Sequence, residues 1–336
     1  MRALWISIVC LLSLTLRAQT VAVVQEGPGK VVVFPAGDPS RQTVIPVGDR
    51  PHEIEITPDG HLAYVSNFGL LEANHKVGTP GTTISVIDLQ ALKERTRFTL
   101  PNGLTAPHGL KLRPPEYKEL FTNTEEGGSS MVVFDAGSGA VLRTFVVPTG
   151  VHNFLFNADG SWLFAFTLTG KICQIAPDTG KVKTCIETGS TRGLSWTADH
   201  RYLIASGKDE ILFLDPVRLG VVKRVEKLNA GQLFYTAATP DGHWLLAPAV
   251  LSGVLLAINA STGTVEHRIE TGSPLMLALD PGGKHAWISN VLVPAGFSRP
   301  GSKAQPGGVS LLDLTTFTVT PIPGIVDTNG ITISSH

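Results

Sequence analysis

Three of the ten histidines occupy the same place in three similar segments of the chain. They are His52 in PHEIEI, His108 in PHGLKL and His152 in VHNFLF. Three converging imidazoles could bind a divalent transition metal, because three histidines with an open fourth position are a known zinc arrangement. Together with Arg192, they could instead bind a carboxylate or a phosphate. In a third interpretation each histidine bonds only to nearby backbone, and the residue types leave all three open.

These segments open the units of an internal repeat. The stretch PHEIEITPDGHLAYVSN (51–67) returns with similar apolar runs and turns at 107–123, 151–167, 191–207, 233–249 and 274–290. Each unit holds two apolar runs around a turn of the P-D-G type, followed by two further runs. Four short strands in a unit of about 40–45 residues are typical of a blade of a β-propeller.

The seventh copy, TNGITISSH (328–336), contains a first strand only. The N-terminal part supplies three strands that no other unit uses, TVAVVQ, KVVVFP and QTVIPV. One C-terminal and three N-terminal strands complete a blade, and such closure removes exposed sheet edges. We therefore predict an all-β, seven-bladed β-propeller with four-stranded antiparallel blades, formed as a single domain by residues 19–336.

Composition agrees with this prediction and excludes other classes. The chain has 35 glycines and 23 prolines, 16% charged residues and a formal net charge of −1. Recurrent helix breakers argue against a helical bundle, and 43% apolar residues argue against disorder. Basic residues are scattered, so no nucleic-acid partner is expected.

Residues 1–18 have the features of a signal peptide, with Arg2 before an apolar run and Ala18 before the expected cleavage. No later segment is apolar enough to span a membrane. We therefore expect an exported protein, periplasmic or extracellular. Cys173 and Cys185 flank the turn PDTG (177–180), and a hairpin there would set them opposite each other within reach of a disulfide. The alternative is two reduced thiols in a buried sheet.

The first strand of an up-and-down blade lines the central channel, so equivalent starting positions form a ring at one channel mouth. Around the ring these positions are Asn329, His52, His108, His152, Arg192, Phe234 and Leu275. Alternation along a strand places Ile54 on the strand face of His52 and Leu110 on that of His108. We therefore expect an apolar column in the channel beneath the histidines.

Two long insertions, residues 69–82 and 291–308, follow second strands and should rise from the same face. Glu125 and Glu126, in a shorter loop on this face, are candidates for a general base or a metal ligand, or form only a polar turn. The insertions contribute further side chains that could reach the mouth, namely Glu72, Asn74, His75, Arg299 and Lys303.

The runs YVSN (64–67), FTNTE (121–125) and WISN (287–290) resemble the YVTN-repeat β-propeller family. The resemblance covers nearly all of residues 20–336 and implies the propeller fold. Its wider group includes surface-layer-like proteins, periplasmic propellers, lactonase-like propellers and the haem-d1 domain of nitrite reductases. A haem-d1 role would use one channel histidine as axial ligand and leave the other two unexplained.

Two functional interpretations follow. In the first, a monomeric propeller binds a small molecule, a peptide or a cell-envelope protein through the channel face bearing the three histidines and Arg192. In the second, the same face belongs to an enzyme, a lactonase-like hydrolase or a lyase, with or without help from a metal ion. A divalent transition metal is the one cofactor that the residues suggest.

Overall fold

The structure is a computed structural model of the chain and describes residues 19–71, 74–297 and 303–335. Within these ranges the chain forms thirty β-strands and one short 3₁₀ helix, Val250–Ser252. The strands of the first half are β1 (Thr20–Gln25), β2 (Lys30–Pro35), β3 (Thr43–Pro46), β4 (Pro51–Ile56), β5 (Leu62–Asn67), β6 (Leu70–Leu71), β7 (Asn74–Gly78), β8 (Thr83–Asp88), β9 (Lys93–Thr99), β10 (Thr105–Leu112), β11 (Glu119–Glu126), β12 (Ser130–Asp135), β13 (Val141–Val146), β14 (Val151–Phe156), β15 (Leu163–Thr167), β16 (Lys171–Ile175) and β17 (Val182–Glu187). Those of the second half are β18 (Leu194–Trp196), β19 (Leu203–Ser206), β20 (Glu210–Asp215), β21 (Gly220–Glu226), β22 (Ala237–Ala238), β23 (Trp244–Ala249), β24 (Val254–Asn259), β25 (Val265–Glu270), β26 (Pro274–Leu279), β27 (His285–Asn290), β28 (Gly308–Asp313), β29 (Val319–Ile322) and β30 (Thr328–Ile333).

The strands form seven four-stranded antiparallel blades, as predicted. Blade 1 is β4-β5-β8-β9, blades 2 to 6 take the strands from β10 to β29 in consecutive fours, and blade 7 is β30-β1-β2-β3. In blade 7 Val23 of β1 lies opposite Ile331 of β30, so the two ends of the chain close the ring. Strands β6 and β7 form a separate hairpin within the first insertion.

The apolar residues of the first strands pack between blades, so the predicted apolar column in the channel is wrong. Ile54 packs with Ala22 and Val24 of blade 7, and Leu110 packs with Tyr64 of blade 1. The cause is a bulge in the first strands of blades 1 to 3: the register shifts between Pro51 and Ile54 in blade 1, and blades 2 and 3 shift at the equivalent place. One extra residue reverses the alternation of side chains beyond it.

Cys173 of β16 lies directly opposite Cys185 of β17, and their sulfurs are bonded, with Cα atoms 4.1 Å apart. Of the two states that the sequence left open, the structure has the disulfide, in the outer hairpin of blade 3. In the described ranges no helix is long and apolar enough to cross a membrane. The predicted signal peptide lies outside the described residues.

Candidate functional site

The three histidines form a stacked row at one mouth of the channel. The ring centroids of His52 and His108 are 4.0 Å apart, and those of His108 and His152 are also 4.0 Å apart. All three rings are buried, His108 completely. Phe68, directly after β5, meets the His108 ring edge-on at 5.1 Å and so helps to hold the row in place.

The row exists because the same bulge recurs in three consecutive first strands. In β4, β10 and β14 the ladder loses register around the histidine, which leaves that residue outside the regular pairing. A bulge commonly re-aims a side chain in this way. Equivalent positions on neighbouring blades therefore bring their imidazoles into contact.

Glu125, at the end of β11, joins the row to the insertion of blade 1. Its Oε1 lies 2.7 Å from Nδ1 of His152, a hydrogen bond donated by the imidazole, and 4.0 Å from Nε2 of His108. Its Oε2 lies 3.3 Å from Nδ1 of His75, which the hairpin β6–β7 supplies. One carboxylate thus contacts imidazoles from three different blades.

The environment of Glu125 keeps its carboxyl group ionised. Burial is the largest influence and by itself raises the pKa. The charge of His108, the hydrogen bond and charge of His152 and the charge of His75 oppose it and together hold the pKa below its ordinary value. The site therefore contains a buried carboxylate beside imidazole nitrogens, and a deprotonated carboxylate is the form that ligates a metal.

These donor atoms have the spacing of a metal site. Ligand atoms of His108, Glu125 and His152 all lie within 4.8 Å of one another, and His75 adds a fourth donor beside Glu125. In a tetrahedral site with bonds of about 2.0–2.1 Å, neighbouring ligand atoms are about 3.3 Å apart. The observed separations of 2.7, 3.3 and 4.0 Å lie on both sides of that value. Small side-chain movements would bring the atoms around one ion.

A pocket of about 300 Å³ opens directly above this row. Its wall follows the predicted ring of starting positions, and both long insertions contribute to it. The lining residues are His52, His75, His152, Leu168, Arg192, Phe234, Tyr235, Leu275 and Phe297. Its wall is polar at the histidines of blades 1 and 3 and at Arg192 of blade 4, and it is largely apolar on blades 5 and 6 and at Leu168.

A layer of polar side chains crosses the channel beside the histidine row; its centre, at Glu53 and Asn153, is buried, and its edges are partly exposed. Nδ2 of Asn153 donates to Oε1 of Glu53 at 2.9 Å and lies 3.1 Å from the hydroxyl of Tyr235. Nζ of Lys111 lies 3.9 Å from Oε2 of Glu53 and 3.4 Å from Oε2 of Glu55. Burial opposes the charge on Lys111, but Glu55 and Glu53 outweigh it and raise the lysine pKa.

Sequence reasoning missed this layer because it assumed unbroken alternation along the first strands. A signal was available: Glu53, Glu55 and Lys111 are charged residues on innermost strands, where unpaired charge is costly.

The other candidate residues are placed as follows. Asn329 is fully buried on β30, and within the described residues neither polar atom of its side chain has a hydrogen-bond partner. Arg192 is half-buried, and its Nη1 donates to the carbonyl of Thr191 at 3.1 Å. Glu126 and Lys303 are exposed and line no part of the pocket. Glu72 and Arg299 lie outside the described residues, as does the side chain of Asn74.

Comparison with known proteins supports the fold alone. No protein-family profile matches the chain, and no curated protein matches it. The crystal structure of a functionally unknown protein from Desulfotomaculum acetoxidans DSM 771 is similar, with a TM-score of 0.73 and 14% identity over 95% of this chain and 99% of that one. Hydrazine synthase of Kuenenia stuttgartiensis is also similar, with a TM-score of 0.64 and 18% identity over 78% of this chain and 86% of that one. The propeller arrangement is thus shared, whereas the YVTN-repeat assignment stays a prediction.

Proposed function

We propose that this protein is an exported, monomeric binding propeller whose channel mouth holds a divalent transition metal next to a small-ligand pocket. The observation that carries the proposal is the position of Glu125, whose carboxylate contacts the imidazoles of His75, His108 and His152. Three imidazoles and one carboxylate form a donor set that binds such ions.

The same carboxylate argues against the histidines as a simple anion site. A carboxylate or phosphate entering between His108 and His152 would meet the negative charge of Glu125, whose side chain is only 10% exposed. Like charges in a poorly hydrated site repel strongly. A cation there is instead attracted by Glu125, and it can displace the imidazole protons and be ligated by the ring nitrogens.

The donor chemistry also narrows the choice of ion. Calcium and magnesium prefer shells made entirely of oxygen atoms. Imidazole nitrogens suit zinc, copper, nickel and iron, and a carboxylate is compatible with all four. An ion with more than four coordination positions would keep at least one for a ligand in the pocket, because four protein donors are present.

The test is the metal content of protein prepared without a histidine tag. We expect one equivalent of a transition metal, lost on chelation and restored by zinc, nickel or cobalt. Bound cobalt should show visible absorption that reports its coordination. Glu125→Gln should weaken binding at least about tenfold, since even residues that only orient metal ligands cost about that much.

The matched control is His285→Gln. Nδ1 of His285 lies 2.9 Å from Asp280, so this variant breaks another histidine–carboxylate pair that has no third donor among the described residues. It should bind metal as the unaltered protein does. Wild-type protein that takes up no metal after reloading, or Glu125→Gln protein that binds as tightly as wild type, would overturn the proposal.

A second candidate function is catalysis of a hydrolytic or lyase reaction on the same face. It is favoured by the pocket, because His75 and His152 belong both to its wall and to the proposed metal site. A ligand in the pocket would therefore lie beside a Lewis acid. Turnover of a lactone and ester panel that disappears on chelation and in Glu125→Gln would support the enzyme. If the metal-loaded protein showed no turnover, binding would remain as the only proposed function.

Export is part of the proposal, and the disulfide supports it. A bond between Cys173 and Cys185 forms and persists in oxidising compartments. N-terminal sequencing of protein recovered from the periplasm or medium should begin close to Gln19. Protein retained inside the cell with an intact N-terminus would contradict export.

A further inference from the structure

We infer that the pocket above the histidine row binds a small aromatic monocarboxylate, with its charged end at Arg192 and its ring against the walls of blades 5 and 6. The inference rests on the proposed function in one respect: it takes this pocket as the place where the ligand binds. It adds the ligand's chemical class, which metal binding does not specify.

The charged end is assigned by Arg192. Arg192 lines the pocket, and its guanidinium donates one hydrogen bond, from Nη1 to the carbonyl of Thr191. No carboxylate among the described residues lies within 4.0 Å of it. A guanidinium carries five donors in a planar fork that matches a carboxylate. Arg192, a residue of the pocket wall, therefore keeps donors that no described residue of the protein uses.

The apolar end is assigned by the wall next to Arg192, on the following two blades. Phe234 and Leu275 hold the equivalent ring positions in blades 5 and 6, where blades 1 to 4 have histidine or arginine. They belong to one apolar cluster, which Tyr235 also contacts. Two further apolar side chains at the rim, Leu168 and Phe297, are 42% and 53% exposed. A ligand with an apolar body would cover surface that otherwise faces water.

Size and charge restrict the ligand further. The pocket volume of about 300 Å³ is at the lower end of the range for small-molecule sites. The guanidinium fork fits a carboxylate or a phosphate, but the single charge of a carboxylate is balanced by one arginine, whereas a phosphate dianion keeps an excess negative charge and would be repelled more by Glu125. A flat ring can pack against Phe234 with little loss of conformational entropy.

The test is calorimetric titration of metal-loaded, desalted protein with benzoate, acetate and benzamide. Benzoate should bind at least about tenfold more tightly than acetate, which lacks the ring, and than benzamide, which lacks the charge. Arg192→Gln should weaken benzoate binding roughly 10- to 100-fold, the range for a lost charged hydrogen bond. Arg201→Gln, which removes an exposed guanidinium outside the pocket, should leave binding unchanged.

Metal content measured on the same samples separates this inference from the proposed function. Metal without benzoate binding, equal affinity for acetate and benzoate, or an unaffected Arg192→Gln variant would each overturn the aromatic carboxylate. Benzoate binding that depends on Arg192 in protein unable to hold metal would support the ligand class and overturn the metal site. Retained metal in Arg192→Gln protein would show that the lost affinity is not a folding defect.

Discussion

Nδ2 of Asn153 donates a hydrogen bond to Oε1 of Glu53 at 2.9 Å and thereby joins blade 3 to blade 1 past blade 2. The contact is possible because blade 2 has Gly109 where the neighbouring blades have Glu53 and Asn153. A Cβ at position 109 would lie 2.6 Å from Oδ1 of Asn153 and 2.6 Å from Oδ1 of Asn123. The missing side chain is therefore a condition for the polar layer across the channel.

Replacing Gly109 with alanine should destabilise the protein. Both displaced oxygens are hydrogen-bonded: Oδ1 of Asn123 accepts from the Gly109 amide at 2.9 Å, and Oδ1 of Asn153 accepts from the Phe154 amide at 2.7 Å. Moving either oxygen leaves a buried polar group unsatisfied, which costs about 1–3 kcal/mol. We expect a decrease of that size in the free energy of unfolding, measured by chemical denaturation.

The control is Gly37→Ala, because no atom lies within 4 Å of a Cβ built at position 37. This variant should keep the stability of the unaltered protein. An equally stable Gly109→Ala protein would show that the amides adjust at no cost and that the contact between Glu53 and Asn153 does not depend on the glycine.

The repeat made the fold predictable, but it could not reveal every residue of the channel. Equivalent starting positions identified the ring that includes His52, His152 and Arg192, because a propeller repeats the same geometry in every blade. The positions of Glu53 and Lys111 in the polar layer could not be predicted, because a bulge has no clear sequence signature and changes the strand face on which a residue lies. The contact of Glu125 with His75 depends on how an insertion folds back, and the repeat does not encode that.

Acid should destabilise the protein partly through Glu119, which binds two arginines in blade 2. The hydrogen bond from Arg143 is the largest influence on its pKa; burial opposes it, Arg113 adds to it, and the pKa is lowered overall. The unfolded chain therefore takes up a proton at higher pH than the folded protein. This stabilisation is complete above the pKa of the unfolded state and is lost as the pH falls through that of the folded state.

Glu119→Gln should accordingly lower the melting temperature at pH 7 and reduce its decrease between pH 5 and pH 3. Because the contacts are partly exposed, the loss at neutral pH should be about 1 kcal/mol or less. Thermal unfolding across this pH range measures both effects. Glu187→Gln removes an exposed ion pair with Lys171 and should leave the profile unchanged. Parallel profiles for Glu119→Gln and wild type would contradict the prediction.

The disulfide should contribute measurable stability. Cys173 and Cys185 are 12 residues apart, and closing a loop of that length in the unfolded chain corresponds to about 3 kcal/mol in the chain-entropy model. Cys185→Ser should lower the melting temperature by several degrees, and dithiothreitol should lower that of wild type by a similar amount. An intact mass 2 Da below that of the reduced chain would report the bond, as two hydrogens are lost. A melting temperature insensitive to both changes would indicate that the hairpin is equally stable without it.

Closure of the ring should depend on the packing of β30 in blade 7. Ile331 is 5% exposed and packs with Val21 and Val23 of β1. Truncating a buried isoleucine to alanine typically costs about 2–5 kcal/mol through lost burial and the cavity left behind. Ile331→Ala should therefore lower the free energy of unfolding by about that amount. It should also increase aggregation, because opening blade 7 exposes β1 as a sheet edge.

Thr332→Ala is the matched control, because Thr332 is the next residue of β30 and is only half-buried. Its free energy of unfolding should change by less than about 1 kcal/mol. Chemical denaturation and light scattering would measure both variants at the same protein concentration. If Ile331→Ala unfolded and aggregated no more readily than Thr332→Ala, the pairing of the two chain ends would contribute little to the ring. The stability of the ring would then come from the apolar clusters that neighbouring blades share.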